Sequence, residues 1–305
     1  MAIPRVLVTG ANGHLGRGLI ARALQSGCEQ VRAVVRSQRA ADQLASVASG
    51  EVRIVDYASQ EALTDAASGC QSAVHLVGII KQAQDTRYES AHEASCAALV
   101  SAATAAGLER IVYLSIFGAT SESANPCLAS KGRAEEILLA GPVPACVLRV
   151  PMVLGPDDYA SFSLRRQATS GTLLMLGGGR TLQQPIDAED VLSAVLSALR
   201  RREPIRGALD LGGPECLSHR QLVERAATFY DKKPRVMPFS RTVARAGVAL
   251  LERLSSNPKI TVPMFDVLQH DDRIDTAHAC KQLGIELTPL DETLRRYVGP
   301  ESDPT

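Results

Sequence analysis

The segment Thr9-Gly10-Ala11-Asn12-Gly13-His14-Leu15-Gly16 constrains the fold more than any other stretch of this chain. It follows the short β-rich run Arg5-Val6-Leu7-Val8 and opens a pattern in which Leu15, Leu19, Ile20 and Ala23 share one helical face. Three glycines between a strand and a helix each have a separate use. Gly10 permits a tight turn after the strand, and Gly13 lets the backbone approach a pyrophosphate. Gly16 lets the helix pack closely on the sheet. The N–H groups that open the helix, around Asn12, His14 and Leu15, offer a positive dipole end to phosphate. The motif therefore predicts a dinucleotide site. The plain alternative is a βα turn that binds nothing.

The rest of the first half repeats the same grammar. Apolar, β-branched runs at 31–35, 52–55, 73–77, 111–114 and 145–150 alternate with helical patterns. The helices are expected up to Gly27, over the alanine-rich stretch 92–106 closed by Gly107, and over 131–139. Strands alternating with helices imply parallel βαβ units, so the expected fold class is α/β, a Rossmann-type doubly wound parallel sheet. The second half changes character after Gly177-Gly178-Gly179, with helices expected over 187–200 and 219–230. The expected organisation is a dinucleotide-binding domain of residues 1–155 with 183–212, and a smaller α/β lobe of residues 156–182 with 213–305.

The end of the second strand should lie near the adenosine ribose. Val35-Arg36-Ser37-Gln38-Arg39 places no acidic residue there. An acid would hydrogen-bond the ribose hydroxyls of NAD, whereas an arginine favours a 2′-phosphate, so the expected cofactor is NADP(H) ahead of NAD(H). Arg36 and Arg39 read otherwise as solvated loop residues. Asp56, after the third strand, is either an acceptor for the adenine amino group or a loop carboxylate. Gly78, after the fourth strand, would let the backbone pass close to the adenosine side of the cofactor, and Leu76 and Val77 at the end of that strand are further cofactor-contact candidates.

Together these residues resemble the extended or atypical short-chain dehydrogenases/reductases, proteins similar to NAD(P)-dependent epimerases and dehydratases. Arg149-Val150-Pro151-x-Val153-x-Gly155-Pro156 resembles the segment that covers the nicotinamide in that family, which makes Pro151 and Val153 cofactor-contact candidates. Pro185-Ile186-Asp187-x-x-Asp190-Val191 resembles the segment before its long return helix. Leu211-Gly212-Gly213-Pro214-Glu215 resembles in particular the subgroup holding the accessory NAD(P)H-binding subunit of respiratory complex I.

The resemblance implies a Tyr-x-x-x-Lys pair. The tyrosine exchanges a proton with the substrate oxygen, and the lysine holds the nicotinamide ribose and lowers the tyrosine pKa. Here the segment reads Cys127-Leu128-Ala129-Ser130-Lys131: the lysine is present and the tyrosine position holds a cysteine. A thiol is a weak hydrogen-bond donor and shorter than a phenol. Lys131, Cys127 and Ser115 are the catalytic candidates, Lys131 counting also as a cofactor contact. Ser115 is either the family's helping hydroxyl or a strand-end serine bonded to backbone. His92 reads as a packing histidine, and Tyr88, one turn before it, as a phenol that would serve only if it faced the cleft. Two functions remain: an NADPH-dependent reductase or epimerase of a small, apolar substrate, and a non-catalytic NADPH-binding structural, assembly or redox-sensing protein.

Composition narrows the partners. Lys+Arg and Asp+Glu both number 33, which argues against a general nucleic-acid binder. The seven cysteines form no CxxC, so neither a disulfide framework nor a metal site is expected, and a cytoplasmic, reducing setting fits. The stretch 241–253 is amphipathic and partly basic. It is a candidate for contact with a membrane surface or a protein partner, and otherwise packs on its own lobe.

Overall fold

The computed structural model describes residues 3–44, 51–83, 86–255 and 257–300. In chain order the first elements are β1 (Ile3–Thr9), α1 (His14–Gln25), β2 (Cys28–Val35), α2 (Gln38–Asp42), β3 (Glu51–Ile54), α3 (Gln60–Ala67), β4 (Ser72–His75), α4 (Ser95–Ala105), β5 (Arg110–Ile116), α5 (Pro126–Ala140) and β6 (Ala145–Val150). There follow β7 (Val153–Leu154), α6 (Tyr159–Ala168), β8 (Thr172–Leu176), β9 (Leu182–Gln183), β10 (Ile186–Asp187), α7 (Ala188–Arg200) and β11 (Gly207–Asp210). The last are β12 (Leu217–Ser218), α8 (His219–Thr228), β13 (Arg235–Phe239), α9 (Arg241–Leu254), α10 (Val262–Leu268), α11 (Ala277–Leu283) and α12 (Leu290–Tyr297).

Two compact units result. One comprises Met1–Arg149, Leu192–Leu209 and Gln282–Ile285; the other comprises Val150–Val191, Asp210–Lys281 and Glu286–Thr305. In the first unit a seven-stranded sheet has the order β3-β2-β1-β4-β5-β6-β11. Its pairs from β3 to β5 run parallel. Leu7, Ala73, Ile111 and Val147 meet Leu63, Leu99 and Leu138 of α3, α4 and α5 in one core. By strand alternation Val6 and Val8 point to the other face, where α1 buries Leu19, Ile20 and Ala23. This is the Rossmann-type arrangement. The strand order reverses between β1 and β4, and in such sheets ligands bind outside the strands' carboxyl ends at that point.

Three of the boundaries that differ from those read in the sequence bear on the site. β4 ends at His75 rather than at residue 77, and Leu76 makes one last backbone bond to Thr9 O at 3.1 Å. The helix expected to start at 92 begins as a π-helical turn, Glu89–Ala94, that runs into α4. At its junction with α4 the Ser95 hydroxyl donates to Ala91 O at 2.8 Å, a side-chain bond that competes with the ordinary helical ladder. α5 starts at Pro126, not Lys131. Asn125 caps it by accepting the Cys127 and Leu128 N–H groups, and Pro126 fits the first turn. Cys127 and Lys131 therefore lie one turn apart on the same helix.

The second unit builds its own core from Leu154, Leu164, Met175, Leu222, Val223 and Leu294 with their neighbours. Asp187 is buried and accepts from Thr293 Oγ1 at 3.0 Å, Arg296 Nη1 at 3.1 Å and Tyr297 Oη at 3.2 Å. Asp190 accepts from the Thr288 N–H and hydroxyl, both at 2.8 Å. The two aspartates of the segment 185–191 thus fasten α12 and the chain before it.

Candidate functional site

In the turn after β1, Gly10 has φ +71°, and a Cβ there would crowd the Leu76 carbonyl at 3.1 Å. A Cβ on Gly16 would lie 2.5 Å from Ala11 O, so α1 sits against the turn only because residue 16 is glycine. Gly13 caps α1 without a side chain, and a Cβ added to it would meet only Gly10 O, at 3.3 Å. The His14 and Leu15 N–H groups open α1 directly after this turn. That is the steric and polar demand of a pyrophosphate, and these residues fit a dinucleotide. Asn12 turns its amide to Gln43 Oε1 at 3.1 Å.

Tyr57, which the sequence reading passed over, ties this end of the sheet together. Its hydroxyl accepts the Gly10 N–H and donates to Val34 O, both at 3.0 Å. Its ring carries the Arg36 guanidinium, 6.0 Å from the centroid. Burial raises the Tyr57 pKa, so the phenol keeps its proton and both bonds. Arg36 is exposed and makes no ion pair among the described residues. The Ser37 hydroxyl accepts the Ala40 N–H as the cap of α2. Asp56 is exposed and accepts the Ala58 N–H at 3.0 Å. Leu76, Val77 and Gly78 follow β4 beside Gly10. Pro151 and Val153 lie in the second unit, where Val153 pairs with Ile186 between β7 and β10.

The catalytic candidates fall into two clusters. Lys131 is buried, and its Nζ donates to the Tyr113 hydroxyl at 2.9 Å, Leu114 O at 3.3 Å and Val77 O at 3.4 Å. It also lies over the Tyr113 ring, 4.5 Å from the centroid. All three ammonium protons are thereby engaged. Burial pulls the Lys131 pKa down to about 8, against the opposing pull of Cys96, Cys127 and Glu135. Gly78 lies directly against this side chain, since a Cβ there would be 2.8 Å from Nζ.

Cys127 is 1% exposed, and its thiol donates to Ile79 O at 3.5 Å. Burial pushes its pKa up to about 11, so it is a protonated thiol at neutral pH, neither nucleophile nor ready acid. Tyr88 donates to Ile80 O at 2.8 Å and stacks on His92, 5.7 Å between ring centroids. His92 Nε2 lies 3.1 Å from both Ile79 N and Ile79 O. Burial, with Lys131 nearby, lowers the His92 pKa to about 3, so the imidazole is neutral. Cys127, Tyr88 and His92 together clamp the loop Gly78–Ile80 by its backbone.

Ser115 has other neighbours. Its hydroxyl donates to Glu135 Oε1, and Glu135 Oε2 accepts from Arg149 Nε at 2.9 Å and Nη2 at 2.6 Å. On β5, Tyr113 and Ser115 share a face; on α5, Lys131 and Glu135 are one turn apart. The strand and the helix thus meet through two buried polar contacts, Tyr113 to Lys131 and Ser115 to Glu135. Tyr113 read as strand core in the sequence. The four-residue spacing of Lys131 and Glu135 was the available signal once α5 was known to begin at Pro126.

A glycine turn at the point where the strand order reverses is the arrangement of a dinucleotide-binding protein of the Rossmann class. Residues 10–171 match the family described as NAD(P)H-binding, and the chain belongs to that family, within the atypical short-chain dehydrogenase/reductase-like proteins related to the complex I accessory subunit. It is 24% identical over 300 residues to the mitochondrial NADH dehydrogenase [ubiquinone] 1 alpha subcomplex subunit 9 of Arabidopsis thaliana, covering 92% of this chain and 73% of that protein. It is 26% identical over 255 residues to the ceramide reductase of Caulobacter vibrioides, covering 82% of this chain and 78% of that one. The fold matches the Citrobacter sp. triphenylmethane reductase complexed with NADP(H), with a TM-score of 0.73, 23% identity and coverage of 96% and 99%.

Proposed function

We propose that this chain holds NADP(H), in preference to NAD(H), without a tyrosine–lysine proton relay, and serves as a structural, assembly or redox-sensing element. The observation that carries this reading is the Lys131 ammonium, whose three protons go to Tyr113, Val77 and Leu114. Cys127, a turn away on the same helix, is buried and keeps its proton. A bound nicotinamide would supply hydride chemistry at its ring. The chain's own residues supply the turn Gly10–Gly16 for the pyrophosphate, Arg36 for a 2′-phosphate, and the clamped loop after β4. Relatedness to complex I subunits supports a protein assembly as the setting. Seven free thiols, five of them buried, support a reducing compartment such as the cytoplasm.

A second reading is a reductase or epimerase of a small apolar substrate, with another group or water moving the proton. The ceramide reductase relative favours it, since that protein's name describes reduction of an apolar molecule.

Fluorescence titration with NADPH and NADH tests the cofactor preference: tighter NADPH binding is expected, and its advantage should vanish in Arg36→Ala. Equal affinity for the two in the wild type would remove the preference. The NADPH-saturated protein is then offered quinones, aldehydes, ketones and enones while the near-ultraviolet absorbance is followed. No turnover is expected of the wild type, and consumption of NADPH with any of them would establish the reductase instead. Activity gained only by Cys127→Tyr would mark a lapsed catalyst.

A further inference from the structure

We propose that the surface formed by β13 and α9 seats on the headgroup layer of an anionic lipid bilayer. The helix is turned opposite to an ordinary surface helix. Arg241, Arg245, Val248 and Glu252 follow one another at helical spacing and share a face, and that face is tied to the rest of the unit. Arg241 donates to Thr181 Oγ1 at 2.6 Å, Arg245 pairs with Asp266 at 2.9 Å, and Glu252 accepts the Val262 N–H at 2.8 Å. Val248 is the buried residue of the helix. The opposite face carries Val243, Leu250 and Leu254, which are 59%, 59% and 76% exposed. Gly247 lies among them, and nothing stands within 4 Å of a Cβ placed on it. Three polar contacts thus hold the helix down while its apolar side faces outward.

The strand before the helix continues the pattern. Phe239 reaches α9 through the single cap residue Ser240. Met237 and Phe239 alternate outward on β13, and Met237 pairs in register with Leu174 of β8, which is also exposed.

Charge decides the occupant. Residues 232–259 hold seven Lys or Arg and one acidic residue, Glu252, an excess of six positive charges in a chain whose total is zero. All seven basic residues are exposed; Arg241 and Arg245 are engaged with Thr181 and Asp266, and Lys232, Lys233, Arg235, Arg253 and Lys259 make no ion pair among the described residues. A basic, amphipathic helix with its leucines bare has the composition of an element that lies in the interfacial plane. Its apolar side meets the acyl boundary and its cations meet anionic headgroups. No helix among the described residues is long and apolar enough to cross a membrane, so the contact is with one leaflet.

The test is flotation of the full chain with phosphatidylcholine vesicles, with and without phosphatidylglycerol, over a salt series. Binding is expected only with the anionic lipid, weakening as salt rises. The double variant Leu250→Ser/Leu254→Ser should bind at least about tenfold less, with thermal midpoint and NADPH affinity unchanged. Failure of the wild type to float with anionic vesicles would overturn the proposal, as would equal binding to neutral ones. So would light scattering that shows the wild type to be a dimer and the double variant a monomer, because a second copy would then be what covers this face.

Discussion

The Lys131 ammonium lies 2.9 Å from the Tyr113 hydroxyl, so the lysine of α5 is bonded to a phenol of β5. In a tyrosine–lysine dehydrogenase the same charge would serve a phenol one turn earlier on its own helix. Here that position is Cys127, and the phenol that Lys131 meets comes from β5.

If Lys131 is a fastening of β5 to α5, its loss should cost stability more than cofactor affinity. Tyr113→Phe removes one of three acceptors from a buried ammonium and should destabilise by about 1–3 kcal/mol in denaturant titration. Lys131→Met should leave NADPH affinity within a few-fold of wild type. A loss of affinity beyond about tenfold, or roughly 1.4 kcal/mol, would mean that the ammonium turns toward the cofactor when it binds.

The depressed pKa of Lys131 gives a signed pH effect. Between about 8 and the ordinary lysine value of 10.5, the folded state has released the proton while the unfolded chain keeps it. The unfolded state then binds more protons, so this group adds stability as pH rises through that window. Cys127 and Tyr113 act in the opposite direction, because burial raises their pKa values in the folded state. The difference between wild type and Lys131→Met isolates the lysine. The wild type should gain on the variant from pH 8 upward, by a little over one kcal/mol per pH unit at most.

Ser115 offers a clean separation of roles. Its hydroxyl donates to Glu135, and that carboxylate is otherwise held by Arg149. Ser115→Ala should lower stability by about 1–2 kcal/mol and leave dinucleotide affinity unchanged. If the reductase reading holds and Ser115 touches the reacting oxygen, the same variant would abolish turnover while folding normally.

The parts of this site that were legible in the sequence are those whose demands are local. Gly10 needs a positive φ and Gly16 needs a missing Cβ, and both needs are written in the residue type and its place between strand and helix. Asn125-Pro126 was equally local, and a cap followed by proline could have moved the start of α5 back to enclose Cys127. Tyr57, Tyr113 and Glu135 were not legible in that way. Tyr57 meets Gly10 across 47 residues, and Lys131 meets Tyr113 across 18, so both contacts depend on which strand lies beside which and in what register. An apolar strand pattern marks Tyr113 as buried without saying what its hydroxyl touches. The second-unit aspartates are similar: Asp187 and Asp190 stood out as a motif, but their partners Thr288, Thr293 and Tyr297 lie about a hundred residues on.

Tyr57 should matter to the cofactor without touching its reacting ring. Tyr57→Phe keeps the platform under Arg36 but removes the bonds to Gly10 and Val34. The Gly10 N–H then loses its acceptor, and the turn loses its tie to β2. NADPH affinity should fall several-fold, with a stability loss of about 1 kcal/mol. Tyr57→Ala removes the platform too and should further reduce the advantage of NADPH over NADH. An unchanged preference in that variant would show that Arg36 needs no support from the ring.

The two buried histidines of the first unit set the acid limit. His75 bonds Thr9 Oγ1 at 2.6 Å through Nδ1 and Ser95 Oγ at 3.3 Å through Nε2, directly below the turn that starts at Gly10. Burial, followed by the Lys131 charge, lowers both His75 and His92 to about 3. As pH falls from 6.5 toward 3, the unfolded chain takes up protons at these two positions and the folded chain does not. The unfolded state binds more protons throughout that window, so stability falls as the solution is acidified and is restored above 6.5. His92→Gln retains a polar side chain that can meet the Ile79 backbone but does not titrate. The variant should therefore lose less stability than wild type between pH 6.5 and 4, measured by denaturant midpoints at each pH. A wild-type profile that is flat across this range, or parallel to that of the variant, would mean that His92 is hydrated or charged in the folded protein. The clamp on Gly78–Ile80 would then be looser than its three bonds imply.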